Sequence, residues 1–115
     1  MLDRLSIATR RVIAAADAHN RQFGRPMGFS ALERLARAEP GASLGAALVV
    51  THGRAPSADG WCARLDDPEA VIMLHDADMA WAIAGREDVR ARIVNLAGQR
   101  LDTAGVREHA ERLSA

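Results

Sequence analysis

Residues 67–84 read DPEAVIMLHDADMAWAIA, and this stretch opens with a strong helix-start signal. Its first three residues supply a carboxylate that can cap a helix, a proline suited to the first helical position and an acid for the first turn. Ile72, Met79 and Ile83 then recur at helical spacing, and a glycine follows the stretch as a stop signal. The pattern predicts an α-helix over residues 68–84.

Similar signals predict helices on both sides of this stretch. Ser6 can cap the first helix, and Ser30 with Glu33 has the spacing of a capping box. The further predicted helices cover residues 6–23, 31–38, 43–50, 89–97 and 106–113. The sequence does not decide between helix and strand for residues 44–51, because the apolar run at 48–51 is also compatible with a buried strand.

The composition agrees with a helical domain. Alanine supplies 24 of the 115 residues, whereas aromatic residues make up 3%. Alanine is the best helix former, and strands favour β-branched and aromatic residues. The length fits one domain with its own core, so the sequence predicts a single all-α domain.

The two halves of the chain follow the same order of signals. Each has a long predicted helix that ends in a glycine, then an arginine, a short spacer with an apolar residue and a shorter helix. We therefore expect two pseudo-symmetric helical repeats packed on one core. Repeat one covers residues 1–53, a linker covers 54–66, and repeat two covers 67–115.

This organisation resembles the Clp amino-terminal (Clp N) double-repeat domain at the front of Clp unfoldases. The opening MLDRLSIATRRVIAAADA is similar to the start of that family, and Asp67-Pro68-Glu69-Ala70 falls on its Thr-Pro-Arg-Ala segment. The family's Gly-Thr-Glu-His signature is degraded to Phe-Ser-Ala-Leu at 29–32 and Arg-Ala-Arg-Ile at 90–93. The chain also has no Walker motif.

The resemblance implies a stand-alone module that binds peptides or proteins. Its expected partner is a Clp ATPase or a substrate of one, for which the chain would serve as an adaptor or regulator. Because Ala31 and Arg92 stand where the family has glutamates, we do not expect the family's phosphoarginine binding. The candidate partner-binding residues are Leu2, Arg4, Leu5, Met27, Ser30, Asp66, Val89 and Arg92.

Charge and cysteine content exclude several classes of function. Fifteen arginines balance fifteen acids, so the chain lacks the basic excess of a general nucleic-acid binder. The alternative to peptide binding is a small helix-turn-helix DNA-binding regulator, in which Arg90 and Arg92 open a short helix. Cys62 is the single cysteine, and no apolar run has the length of a membrane span. We therefore expect a cytoplasmic protein.

No residue pattern indicates catalysis, a cofactor or a metal site. His75, Asp76 and Asp78 are close in sequence, but a helix would not place all three on one face. We interpret this segment as a solvated helix surface. The sequence offers no paired base and nucleophile, so it predicts a binding protein and not an enzyme.

Overall fold

The computed structural model describes residues 2–57, 59 and 62–114. A short 3-10 helix, Leu2–Arg4, precedes the main elements. The α-helices are α1 Ile7–Phe23, α2 Phe29–Ala38, α3 Leu44–His52, α4 Ala77–Ala84 and α5 Thr103–Ser114. The strands are β1 Arg54–Pro56, β2 Cys62–Arg64, β3 Val71–Met73, β4 Arg92–Val94 and β5 Arg100–Leu101.

Helix α1 forms as its local signals predict. The Ser6 hydroxyl accepts a hydrogen bond from the Thr9 amide, and Gly24 ends the helix in the left-handed conformation with φ 66°. That conformation costs an L-residue with a side chain free energy, which explains a glycine at this position. Val12 and Ala16 are buried on the inner face, one turn apart.

Helix α2 begins earlier than the capping box predicts. The helix starts at Phe29 with Gly28 at its N-cap, and no side chain caps it. Ser30 therefore lies inside the first turn, where it is exposed. The reciprocal bonds of a capping box with Glu33 are not formed.

Residues 44–51, which the sequence leaves open between helix and strand, lie in the α3 helix. Ser43 caps α3 by accepting from the Ala46 amide, and Gly53 ends it with φ 63°. Four consecutive residues, 46–49, are buried, so the helix is enclosed on all sides at the centre of the molecule. A helix buried all round reads as a continuous apolar run, and for that reason the pattern alone does not separate it from a buried strand.

The predicted helix over 68–84 is wrong in its first half. Asp67 accepts a hydrogen bond from the Glu69 amide within a turn, and β3 follows at 71–73. The helix begins at Ala77, where the Asp76 carboxylate caps it by accepting from the Met79 amide. The β-branched and apolar residues after Ala70 satisfy their backbone by pairing with β4, which local signals do not reveal.

The predicted helix over 89–97 is also wrong. Residues 92–94 form β4, which pairs parallel with β3 and antiparallel with β5. Strand order is therefore β3-β4-β5, with α4 as the crossover between the two parallel strands. Ile72 lies beside Ile93, and Ile93 lies beside Leu101.

Residues 54–66, predicted as a linker, contain the antiparallel pair β1 and β2. A single antiparallel bridge joins Ser57 to Ile72, so this pair lies against the free edge of β3. Ala55 is completely buried, and the segment therefore contributes to the core.

The all-α fold and its two helical repeats are contradicted by these strands. The first 53 residues are helical, whereas the rest combine short strands with α4 and α5. Ile72, Ile93, Ile83 and Val106 belong to one buried cluster, so the sheet packs on these two helices. The chain is a mixed α/β protein with one continuous core. None of the described helices has the length and apolar character needed to cross a membrane.

Candidate functional site

An open cleft lies between the end of α4, the segment that leads into β4, strand β5 and the start of α5. Its volume is about 1010 Å³. Its lining is Ile83, Ala84, Arg86, Glu87, Val89, Arg90, Ala91, Ile93, Arg100, Leu101, Asp102, Thr103, Gly105 and Val106. Apolar residues form its floor and charged residues form its rim.

The floor comes from the face of the sheet that packs on the helices. Ile93 and Leu101 are paired across β4 and β5 and therefore project to the same side. Ile93 and Val106 are buried, while Val89 and Leu101 are half-buried at the open side. The cleft is thus a shallow extension of the core to the surface.

The segment between α4 and β4 is held in place by backbone hydrogen bonds. The amides of Arg90 and Ala91 both donate to the Leu65 carbonyl, at 2.8 and 3.0 Å. The Arg86 amide donates to the Ile83 carbonyl at the end of α4. These bonds fix the backbone at Arg90 and leave its exposed side chain free to project.

The Arg86 guanidinium is engaged in hydrogen bonds within the chain. Its guanidinium donates to the Val49 carbonyl at 2.7 Å and makes two bonds to the Asp88 carboxylate, at 2.8 and 2.6 Å. The hydrogen bonds from Arg86 lower the pKa of Asp88, and those to Asp88 raise the pKa of Arg86. Gly53 lies so close that an added Cβ would stand 3.3 Å from an Arg86 nitrogen. Arg86 therefore supports the wall of the cleft.

Three arginines nearby in the sequence lack described hydrogen bonds of this kind. Arg90 and Arg100 line the cleft, and Arg92 lies on β4 between them in sequence. All three are exposed, and no guanidinium among them forms a salt bridge or hydrogen bond with a described residue. The cleft rim thus offers guanidinium donors for an external acceptor.

The acids of the rim differ in how far they are engaged. Asp102 accepts a hydrogen bond from the Gly105 amide at 2.7 Å and so caps the start of α5. Glu87 is exposed at the opposite rim. The positive end of the helix stabilises the charged form of the Asp102 carboxylate.

The candidate residues near the N-terminus do not reach this cleft. Leu2 lies in the 3-10 helix, and its side chain is outside the described part of the structure. Arg4 is exposed and stacks over the Trp81 ring at 4.7 Å. Leu5 is 3% exposed and belongs to the core, so it presents no surface to a partner in this conformation.

Met27 and Ser30 lie away from the cleft as well. Met27 is buried, its amide donates to Asn20 Oδ1 at 2.7 Å, and its carbonyl contacts His52 Nε2 at 2.6 Å. Ser30 is exposed on α2. Met27 thus anchors the turn between α1 and α2 to the end of α3.

The remaining three candidates belong to the second half. Val89 lines the cleft, and Arg92 lies on the adjoining strand. Asp66 is exposed and accepts hydrogen bonds from Nε and Nη2 of Arg64, at 2.9 and 2.8 Å, which lowers the pKa of Asp66. Of the eight candidates, the described cleft lining therefore contains Val89. Arg90 and Arg100 were missed as a pair because only the β4–β5 hairpin brings them together.

The segment around Asp76 and Asp78, which the sequence pattern predicts to be solvated helix surface, forms a polar network in the structure. The Asp78 carboxylate accepts from the Ser6 amide, the Ser6 hydroxyl and the Thr9 hydroxyl, at 2.6 to 2.8 Å. Asp76 accepts from the Ser43 hydroxyl at 3.0 Å while it caps α4. These contacts join the N-termini of α1, α3 and α4. The sequence signal for this network is a residue suited to N-capping before each of the three helices.

The network is structural, and metal ligation has no support elsewhere. Within the described ranges, no group of three or more His, Cys, Asp or Glu side chains could hold a metal ion. The hydroxyl and carboxylate atoms of the network are already paired with one another. The arginine-rimmed cleft has a larger volume than the pocket beside β1 and β2, about 1010 against about 590 Å³, and is the candidate site for a ligand.

Comparison with known proteins gives no further guide to the site. No protein-family model, curated protein or solved structure matches this chain. The functional conclusion consequently rests on the geometry and chemistry of the cleft.

Proposed function

We propose that this chain is a protein-recognition domain that binds a short segment of a partner protein in the cleft. The observation that carries the proposal is the combination of an apolar floor with an open, arginine-bearing rim. An apolar side chain of the segment would be removed from water on the floor, and polar groups would pair at the rim. Interfaces commonly divide these roles between core and rim.

The lining gives little support for an enzyme. It contains no His, Cys or Ser, and its one hydroxyl group belongs to Thr103. The nearest carboxylate in sequence, Asp102, already accepts a backbone amide. A nucleophile needs a base within hydrogen-bond reach, and these residues do not supply that pair.

The alternative of a helix-turn-helix regulator loses its supporting element. Arg90 and Arg92 were expected to open a helix, but residues 92–94 form β4. Binding to a Clp ATPase or to one of its substrates stays an expectation that rests on sequence resemblance alone. The all-α fold that the same resemblance implied is wrong. We expect the domain to act in the cytoplasm, in keeping with its single cysteine.

An array of 12-residue peptides of varied composition tests the proposal. The chain should retain a subset of the peptides, and Val89→Asp should weaken their binding at least about tenfold. A charge on the floor would have to be desolvated beside the apolar side chain of the ligand. Leu96→Asp is the matched control, because Leu96 is 65% exposed and lies outside the lining.

Two results would contradict the proposal. One is an array in which no peptide is retained by the folded chain. The other is equal loss of binding in the Val89 and Leu96 variants, since that would place the contact away from the cleft. Thermal unfolding of each variant shows that the fold is intact.

A further inference from the structure

The acids in the acidic stretch of the sequence stay largely exposed in the structure, but several of them have partners within the chain. Residues 59–88 hold eight acids and two arginines. Five of the eight carboxylates accept a described hydrogen bond from a backbone amide or an arginine of the chain. They are Asp66, Asp67, Asp76, Asp78 and Asp88. Of these five, Asp66 and Asp88 are paired with a cation, Arg64 and Arg86 respectively.

Six arginines between residues 64 and 107 divide into two groups. Arg64, Arg86 and Arg107 each form a salt bridge with a nearby acid. Arg90, Arg92 and Arg100 form none with a described residue, and Arg90 and Arg100 line the cleft. Three arginines, Arg86, Arg90 and Arg100, line the cleft against two acids, Glu87 and Asp102. Among these arginines, Arg90 and Arg100 are the ones without a described partner.

On this basis we infer that the segment bound in the cleft is acidic. This inference rests on the proposed function and names the chemistry of its ligand. One or two carboxylates of the segment pair with Arg90 and Arg100, and an apolar residue beside them lies on the floor near Val89 and Leu101. Guanidinium groups suit this role, since their planar donor fork matches a carboxylate.

An acidic peptide fits the cleft better than a nucleic acid does. The lining contains no aromatic side chain on which a base could stack. Glu87 and Asp102 at the rim would repel a chain of phosphates, whereas one or two carboxylates can be placed next to the arginines. The formal net charge of zero also gives no long-range attraction to a polyanion.

Three fluorescein-labelled 12-residue peptides with the same leucines test the inference. Their polar positions carry Glu, Ser or Arg, and binding is followed by fluorescence anisotropy. The Glu peptide should bind at least about tenfold more tightly than the Ser peptide, and the Arg peptide should bind most weakly. Affinity for the Glu peptide should fall with added salt, because partly exposed ion pairs are screened.

Charge-reversal variants locate the effect. Arg90→Glu and Arg100→Glu should each weaken binding of the Glu peptide at least about tenfold and improve binding of the Arg peptide. Arg34→Glu is the matched control, since Arg34 is exposed on α2 and lies outside the lining. Circular dichroism and thermal unfolding should be unchanged in all three variants, because none of these side chains has a described polar partner.

The outcomes separate this inference from the proposed function. Equal binding of the Glu and Ser peptides, lost in Val89→Asp, would overturn the inference and leave peptide recognition standing. Retention of no peptide would remove the proposed function itself. Competition by a 20-residue oligothymidine through Arg90 and Arg100, with no binding of the Glu peptide, would replace the carboxylate by phosphate and overturn the inference.

Discussion

The helical region, residues 7–53, and the mixed region, residues 54–114, depend on different kinds of information. In the helical region, caps and glycines lie next to the helices that they define, as Ser6 and Gly24 do for α1. In the mixed region, the structure of a residue depends on partners about 20 positions away, as Ile72 on Ile93. Local signals therefore describe the helical region well and mislead in the mixed region.

The stretch after Asp67 shows why. Its helix-start residues form a turn that can lead either into a helix or into a strand. Ile72 and Leu74 are both completely buried, although two positions apart they point to opposite sides of a helix. A strand places both on one side, and pairing with β4 satisfies its backbone. Burial of this pair is what distinguishes the observed structure from the predicted one.

Truncation of those two residues has the largest expected effect and tests the comparison directly. Ile72→Ala and Leu74→Ala should each lower the free energy of unfolding by about 3 kcal/mol, since each leaves a cavity in the core. Met73→Ala, between them and half-buried, should lower it by about 1 kcal/mol or less. Urea unfolding of the three variants gives these values. A helix would instead make the loss at Ile72 large and that at Leu74 small.

Several parts of the fold were predictable and others were not. The bounds of α1 follow from Ser6 and Gly24, and α5 was expected near its observed position. The strands β3, β4 and β5 were not predicted, because each has two or three residues and gains its stability from the others. The strands were missed because their pairing partners are distant in the sequence, and not because their local signals are weak.

The candidate site shows the same division. Val89 and Arg92 were singled out from the sequence, but on the basis of a resemblance and not of the cleft. Arg90 and Arg100 are ten positions apart and meet only through the hairpin of β4 and β5. The acidic segment before them concealed their availability, because which carboxylates are already paired is a property of the fold.

The Asp78 network links the two regions and has an intermediate expected effect. Asp78→Ala removes the acceptor of three hydrogen bonds and leaves the hydroxyl of Thr9, a fully buried residue, without its carboxylate partner. We expect a loss of roughly 2 kcal/mol in the free energy of unfolding. His75→Ala, in the same segment but exposed, should change it little. Equal effects would mean that the network does not hold the regions together.

Arg86 provides the weakest of these links and the smallest expected effect. It joins the regions through the Val49 carbonyl, and its bond to Asp88 lowers the pKa of that carboxylate below the ordinary value near 3.9. A carboxylate whose pKa is lower in the folded state adds stability above the unfolded pKa and loses it as the pH falls through the folded pKa.

The stability of the unmodified chain should therefore fall slightly more than that of Asp88→Asn when the pH is lowered below about 4. Because Asp88 is about half exposed, the difference should stay below about 1 kcal/mol. Urea unfolding between pH 6 and pH 2.5 measures it, with Glu87→Gln as the control for loss of a neighbouring charge that has no described partner. If both variants flatten the pH dependence equally, general charge and not the Arg86 bond is responsible. If neither does, the bond between Arg86 and Asp88 contributes nothing measurable to the stability of the chain.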